Sequence, residues 1–235
     1  QTEVDNCSFV KCCLMFLVVF YHSILFYSGI DWFVGKPLYV VNSLKWLSGW
    51  LNSFHIYAFT LVSGYLYFYL RYENGKYQQL KGFFVNKIKR LIVPYIFVCI
   101  IWVVPVTCLF FSYTAGDIFK KYILGTAPSQ LWFLWMLFDV FMLVYFLSDA
   151  IYRSNVVSII VSLAGIVIGI VGGKLFPNVF CIWTGFSYIA YFILGCKIRQ
   201  YGSDRLKRLG VITWILAHTG LYVVVTYLKS FNGLL

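Results

Sequence analysis

Two ionisable residues stand inside an apolar stretch near the start of the chain, Lys11 and His22 of KCCLMFLVVFYHS. A histidine titrates close to neutrality and can take up or release a proton, while a lysine can hold a negative group. Their spacing of eleven residues is close to three turns of α-helix, so both fall on one stripe, with Met15 and Val18 between them. At ~1.5 Å per residue His22 lies roughly 16 Å deeper than Lys11, about half of a ~30 Å hydrocarbon layer. Ionisable side chains in such a setting are costly and point to function by default. The plainer alternative has Lys11 snorkelling to the interface and His22 bonding a neighbouring helix. His55, in NSFHIYAFTLVSGYLYFYL, is expected at a similar depth in the next apolar stretch. There it either shares a cavity with His22 or serves as a structural histidine.

Positioning these groups requires membrane-spanning helices. The chain is 61% hydrophobic, 21% aromatic and only 11% charged, far more apolar than a soluble domain. Seven apolar segments are long enough to span, at about 9–28, 46–70, 91–112, 130–148, 155–173, 178–196 and 209–228. Short alternating segments that would indicate a β-barrel are missing. The expected class is therefore all-α, a polytopic transmembrane helix bundle. The longest polar connection runs from Arg71 to Arg90, too short for a soluble domain, and a single membrane domain covers 1–235.

The net charge of +11 would suit nucleic acid, but its placement points elsewhere. Arg71, Lys76, Lys81, Lys87, Lys89 and Arg90 fall between segments two and three, Arg153 between four and five, and Lys197, Arg199, Arg205, Lys207 and Arg208 between six and seven. The alternate connections hold only Lys36, Lys45, Lys120, Lys121 and Lys174. This asymmetry places the N-terminus in the cytoplasm. It makes anionic lipid headgroups, rather than nucleic acid, the partners of much of the basic charge. The seven cysteines have no zinc-like spacing and are expected as buried thiols, with no disulfide and no metal. Gly165 and Gly169, four apart, allow close helix approach.

Taken together, several of these residues resemble the acyltransferase-3 family of integral membrane acyltransferases, in particular its bacterial polysaccharide O-acetyltransferase branch. Lys11 and His22 resemble that family's Arg-x10-His pair. Phe54-His55 with Phe59 and Ser63-Gly64-Tyr65 resembles its second-span motif. The run Lys87-Ile88-Lys89-Arg90 through Pro94-Tyr95 is similar to the basic segment that opens the third span. Gln130-Leu131-Trp132-Phe133-Leu134 and Phe192-Ile193-Leu194-Gly195 match later span starts. Two departures stand out. Lys11 replaces an arginine, keeping the charge but losing the planar fork. The family usually has about ten spans, so a chain with about seven is expected to lack its C-terminal ones.

The resemblance implies transfer of an acetyl or other short acyl group from cytoplasmic acyl-coenzyme A to a sugar hydroxyl of a cell-surface or lipid-linked glycan. No bound cofactor is expected, acetyl-CoA being a substrate, and the location implied is the bacterial cytoplasmic membrane. A hydroxyl needs a base before it attacks, and His22 is the expected base, with His55 beside it. Lys11 would hold the donor's polar end or the growing oxyanion. Lys87, Lys89, Arg90 and Ser63 are expected at the donor, and Trp132 and Phe133 at the acceptor. Trp132 and Phe133 serve equally well as an interfacial aromatic belt. The rival readings are a proton-coupled transporter or flippase using His22, His55 and Asp139, and a non-catalytic membrane protein.

Overall fold

The computed structural model describes residues 3–29, 37–202 and 210–232. The main helices are α1 (Glu3–Ile24), α2 (Asn42–Asn52), α3 (His55–Phe68), α4 (Leu80–Phe110), α5 (Trp132–Arg153), α6 (Asn155–Leu175), α7 (Ile182–Tyr201) and α8 (Gly210–Asn232). Among the described residues there is no strand, and the class is the all-α polytopic bundle expected from composition. Among the described residues five helices are long and apolar enough to cross a membrane: α1, α4, α6, and α5 and α7 with the turns that precede them. Phe9, Phe16, Ile100, Trp102, Ile159 and Leu163 are exposed on them, which suits hydrocarbon solvent.

The segments differ from expectation in three places. The second is not one helix: Ser53 and Phe54 separate α2 from α3. The Arg71–Arg90 connection is mostly helical, because α4 already begins at Leu80, with Phe83 and Leu91 buried on its inner face. Three of the cysteines, Cys12, Cys13 and Cys108, are exposed rather than buried, since an apolar span turns one side toward lipid. Lys36, Arg205, Lys207 and Arg208 lie outside the described residues.

The chain packs as two units, residues 1–62 with 197–235, and residues 63–196. In the first, Cys7, Leu14 and Leu25 form the buried stripe of α1 and its following turn. At 100° per residue Lys11 and His22 fall on the edge of this stripe, and both are half-buried. Met15 lies further round and is exposed, so it is not part of the inward face. Arg199 pairs with Glu3 at 3.0 Å. Gly49 of α2 admits the hydroxyl of Tyr222 of α8, where any Cβ would collide with it.

In the second unit, α4 contains π-turns at Ile88–Ile92 and Cys99–Val103. Each is followed, two residues beyond its end, by a proline, Pro94 and Pro105. A proline has no N–H and crowds the preceding turn. In each π-turn the N–H of the residue before the proline donates one residue further back, Val93 to the Ile88 carbonyl and Val104 to that of Cys99. Tyr95 then reaches inward, its hydroxyl donating to the Tyr122 carbonyl and its ring meeting Trp135 edge-on at 5.4 Å.

Ser154 alone separates α5 from α6, and its hydroxyl accepts from the Val157 N–H as an N-cap. Gly165, Gly169 and Gly172, with Ser158, are the buried residues of α6. A Cβ on any of these three glycines would strike Ile189, Ser187 or Trp183 of α7, so the glycine pair noted in the sequence does set a close helix crossing. A second such crossing joins two of the sequence motifs. Gly64 of α3 lies against the main-chain carbonyl of Phe192 of α7, and the Cys196 thiol donates to the Gly64 carbonyl at 3.3 Å.

Candidate active site

The break between α2 and α3 brings His55 to the start of a helix, and the side chain takes part in closing it. His55 Nδ1 lies 2.6 Å from the Leu51 carbonyl, four residues back. A carbonyl can only accept, so Nδ1 carries the hydrogen and Nε2 of the neutral ring is left with the lone pair. His55 is 2% exposed. Tyr21 of α1 sits beside it with ring centroids 5.0 Å apart, and the same Tyr21 ring is 4.9 Å from that of His22. Both histidines of the proposed pair thus flank one tyrosine, on helices that pack together. Lys11 reaches α3 as well, its ammonium 5.4 Å from the centre of the Phe59 ring. Lys11, His22, His55 and Phe59 therefore belong to one unit and face α1 against α3.

This arrangement can move a proton at the histidines and hold a negative charge at the lysine. A third histidine, His218 of α8, joins the same unit and was not singled out from the sequence. Its Nε2 is 3.0 Å from the Ser53 hydroxyl, and its ring meets Phe54 edge-on at 5.1 Å. Because Ser53 donates its own hydrogen to the Trp50 carbonyl at 2.6 Å, His218 donates to Ser53. That geometry braces the α2–α3 break rather than activating a serine. Apolar flanks on both sides of His218 hide any such role from sequence alone.

The donor candidates belong to the other unit, and the structure separates them. Lys87 is 6% exposed, with its ammonium over the rings of Phe141 at 3.5 Å, Tyr77 at 4.9 Å and Phe83 at 5.2 Å. Desolvated cation–π contacts of this kind are worth about 2 kcal/mol. Lys89 and Arg90, about half a turn or more further round, are exposed. Close by, the Arg71 guanidinium stacks 4.3 Å from the Tyr145 ring and lies 3.7 Å from Asp149. Burial pushes the Tyr77 hydroxyl above its usual range, with the Arg90 charge acting in the opposite direction. Ser63 is buried within α3, next to the Gly64 crossing, rather than presented on a surface.

The acceptor candidates divide too. Trp132 is half-buried at the start of α5, 5.7 Å from the ring of Tyr188, and lines a cavity, whereas Phe133 meets Trp132 edge-on at 6.2 Å and is not among the residues lining it. Asp139, further along α5, packs against Gly185, whose Cβ would come within 3.1 Å of its own. Its Oδ2 is buried without a hydrogen-bond partner among the described residues.

Compared with known proteins, residues 5–233 match the family model of an acyltransferase domain, acyltransferase 3. Neither a curated protein nor a solved structure matches the chain.

Proposed function

Since the chain belongs to the acyltransferase-3 family and is a multi-pass membrane acyltransferase, we propose that it carries an acetyl or other short acyl group from acyl-coenzyme A to a sugar hydroxyl of a cell-surface or lipid-linked glycan. In this reading the basic connections face the cytoplasm of a bacterial cell and the donor arrives there. His22 removes the proton of the attacking hydroxyl as the thioester carbon is attacked. His55, its Nδ1–H bonded to Leu51, keeps the lone pair on Nε2 as a second acceptor beside Tyr21. Lys11, about 16 Å from His22 along α1, holds the donor's polar end. The released thiolate leaves as coenzyme A after taking up a proton.

What supports this reading most is the shared contact of His22 and His55 with Tyr21, in a chain of this family, on the helix that also carries Lys11. Lys89 and Arg90 are the exposed cations of the basic segment and suit the donor's phosphates, while Lys87 braces the aromatic cluster behind them. Family membership favours group transfer over the proton-coupled transport that Asp139 would serve. Membranes containing the protein, incubated with radiolabelled acetyl-coenzyme A, test the proposal. Label entering the glycan fraction is the expected result, and label that stays entirely in the thioester or in free acetate contradicts it.

A further inference from the structure

Within residues 63–196, the loops leading into α5 and α7 and the first turns of those helices line an open cavity of about 460 Å³. That volume lies in the ~300–1,000 Å³ range of small-molecule sites. Its lining combines the rings of Trp132 and Tyr188 with the polar side chains of Thr126, Ser129, Asn178 and Thr184. Among the described residues no lysine, arginine, aspartate or glutamate lines it. It lies at the N-terminal end of α5, about 25 Å along that helix from Asp149 and the Arg71 pair, taking 1.5 Å per residue.

The polar groups have capacity to spare. Asn178 Oδ1 accepts from the Trp183 N–H at 3.0 Å, and its Nδ2 donates one hydrogen to Thr184 Oγ1 at 2.8 Å. An amide has a second hydrogen to give, and a threonine hydroxyl that accepts from an amide still has its own. Thr126 donates to the Lys120 carbonyl at 2.8 Å and so retains acceptor capacity. The site thus offers both donors and acceptors around an aromatic wall, with no charge to meet a phosphate or a carboxylate.

The walls are also held rigidly. The Phe180 N–H donates to the Leu124 carbonyl at 2.7 Å and the Cys181 thiol to the Gly125 carbonyl at 3.2 Å, tying the two loops together. Among the described residues four non-glycine residues have positive φ, and three of them, Ser129, Phe180 and Cys181, are in these loops. Such conformations are unfavourable for residues that carry a Cβ and persist only where the surroundings enforce them. A preformed site spends little of its binding energy on ordering.

We infer that this cavity binds one neutral sugar ring, with an apolar face of the ring against Trp132 and Tyr188 and its hydroxyls bonded to Asn178, Thr184 and Thr126. A sugar ring matches the lining on each count: it is uncharged, its hydroxyls both donate and accept, and its C–H faces pack on aromatic rings. The inference rests on the glycan-acyltransferase reading above for its role, which is to seat a ring of the acceptor.

Saturation-transfer NMR on the protein in nanodiscs, with the methyl glycosides of glucose, galactose, mannose, rhamnose and N-acetylglucosamine as probes, tests it. At least one glycoside should receive saturation, and Asn178→Ala and Thr184→Val should each weaken that binding at least fivefold. Both variants should raise the acceptor KM in acyl transfer and leave the acyl-CoA KM unchanged, and a retained cooperative melting transition, even at a lower temperature, shows that they fold. Absence of transfer to every glycoside, or binding that is indifferent to both substitutions, overturns the inference. The two readings fail separately. Glycoside binding that depends on Asn178, in a protein that acylates no glycan, sinks the acyltransfer role and leaves the sugar site. Glycan acylation with an unaltered acceptor KM in both variants does the reverse.

Discussion

Gly64 and Phe192 meet main chain to side: the face of α3 where Gly64 lacks a side chain is filled by the Phe192 carbonyl of α7. Replacing Gly64 by alanine gains about 1 kcal/mol of helix propensity. The added methyl, however, meets backbone that cannot rotate away, and overpacking of this kind costs about 1–3 kcal/mol. It also disturbs the Cys196 thiol bond to Gly64. Gly82 of α4 has nothing within 4 Å of its Cβ position and supplies the control. Thermal unfolding in detergent should rank Gly82→Ala at or above the unsubstituted protein and Gly64→Ala below it. The opposite order would mean that the α3–α7 crossing is looser than described.

The three cations of the basic segment should separate by function. Lys87→Met keeps the stem and removes the charge over Phe141, so the principal effect should be a lower melting temperature, from loss of about 2 kcal/mol of cation–π contact. Charge reversal at Lys89 and Arg90 should leave melting nearly unchanged and raise the KM for acyl-coenzyme A more than that for the acceptor, since a phosphate clamp contributes mostly uniform binding. A donor KM that responds to Lys87→Met alone would reassign the clamp.

Orientation follows from the charge asymmetry. A cysteine placed at Lys76 should react with an impermeant maleimide only after the cytoplasmic side is opened, and one at Ser112 should react in intact cells. Reversed labelling would put the donor on the wrong side of the membrane for cytoplasmic acyl-coenzyme A.

Hydropathy marked the long apolar helices, because apolarity over about twenty residues is a direct consequence of hydrocarbon thickness, though it set the start of α4 about eleven residues late. It did not show the break at Ser53–Phe54. A broken helix and a continuous one have the same apolarity, and the bond from His55 to Leu51 that closes the break is a three-dimensional fact. The Lys11–His22 spacing correctly placed both on one side of α1, since periodicity alone decides that. Their burial was less legible: the inward stripe is centred on Cys7, Leu14 and Leu25, and only packing reveals that centre. Lys87 read as one of a cluster of surface cations, and its inward turn depends on Tyr77, Phe83 and Phe141, which come from a loop and two helices. The cavity beside Trp132 was hidden for a related reason. Its loops take positive φ at serine, phenylalanine and cysteine, residues that carry no sequence signal for that conformation.

The central claim is that His22 is the base, and its substitution tests that claim most directly. His22→Ala should insert and melt much as the unsubstituted protein does, while acyl transfer to the glycan falls on the order of 10²–10⁴-fold, the usual contribution of a positioned general base. His55→Ala should lower transfer by less, its part being to orient rather than to abstract. Transfer by His22→Ala at close to the unsubstituted rate would contradict the account and leave His22 as a packing partner of Tyr21.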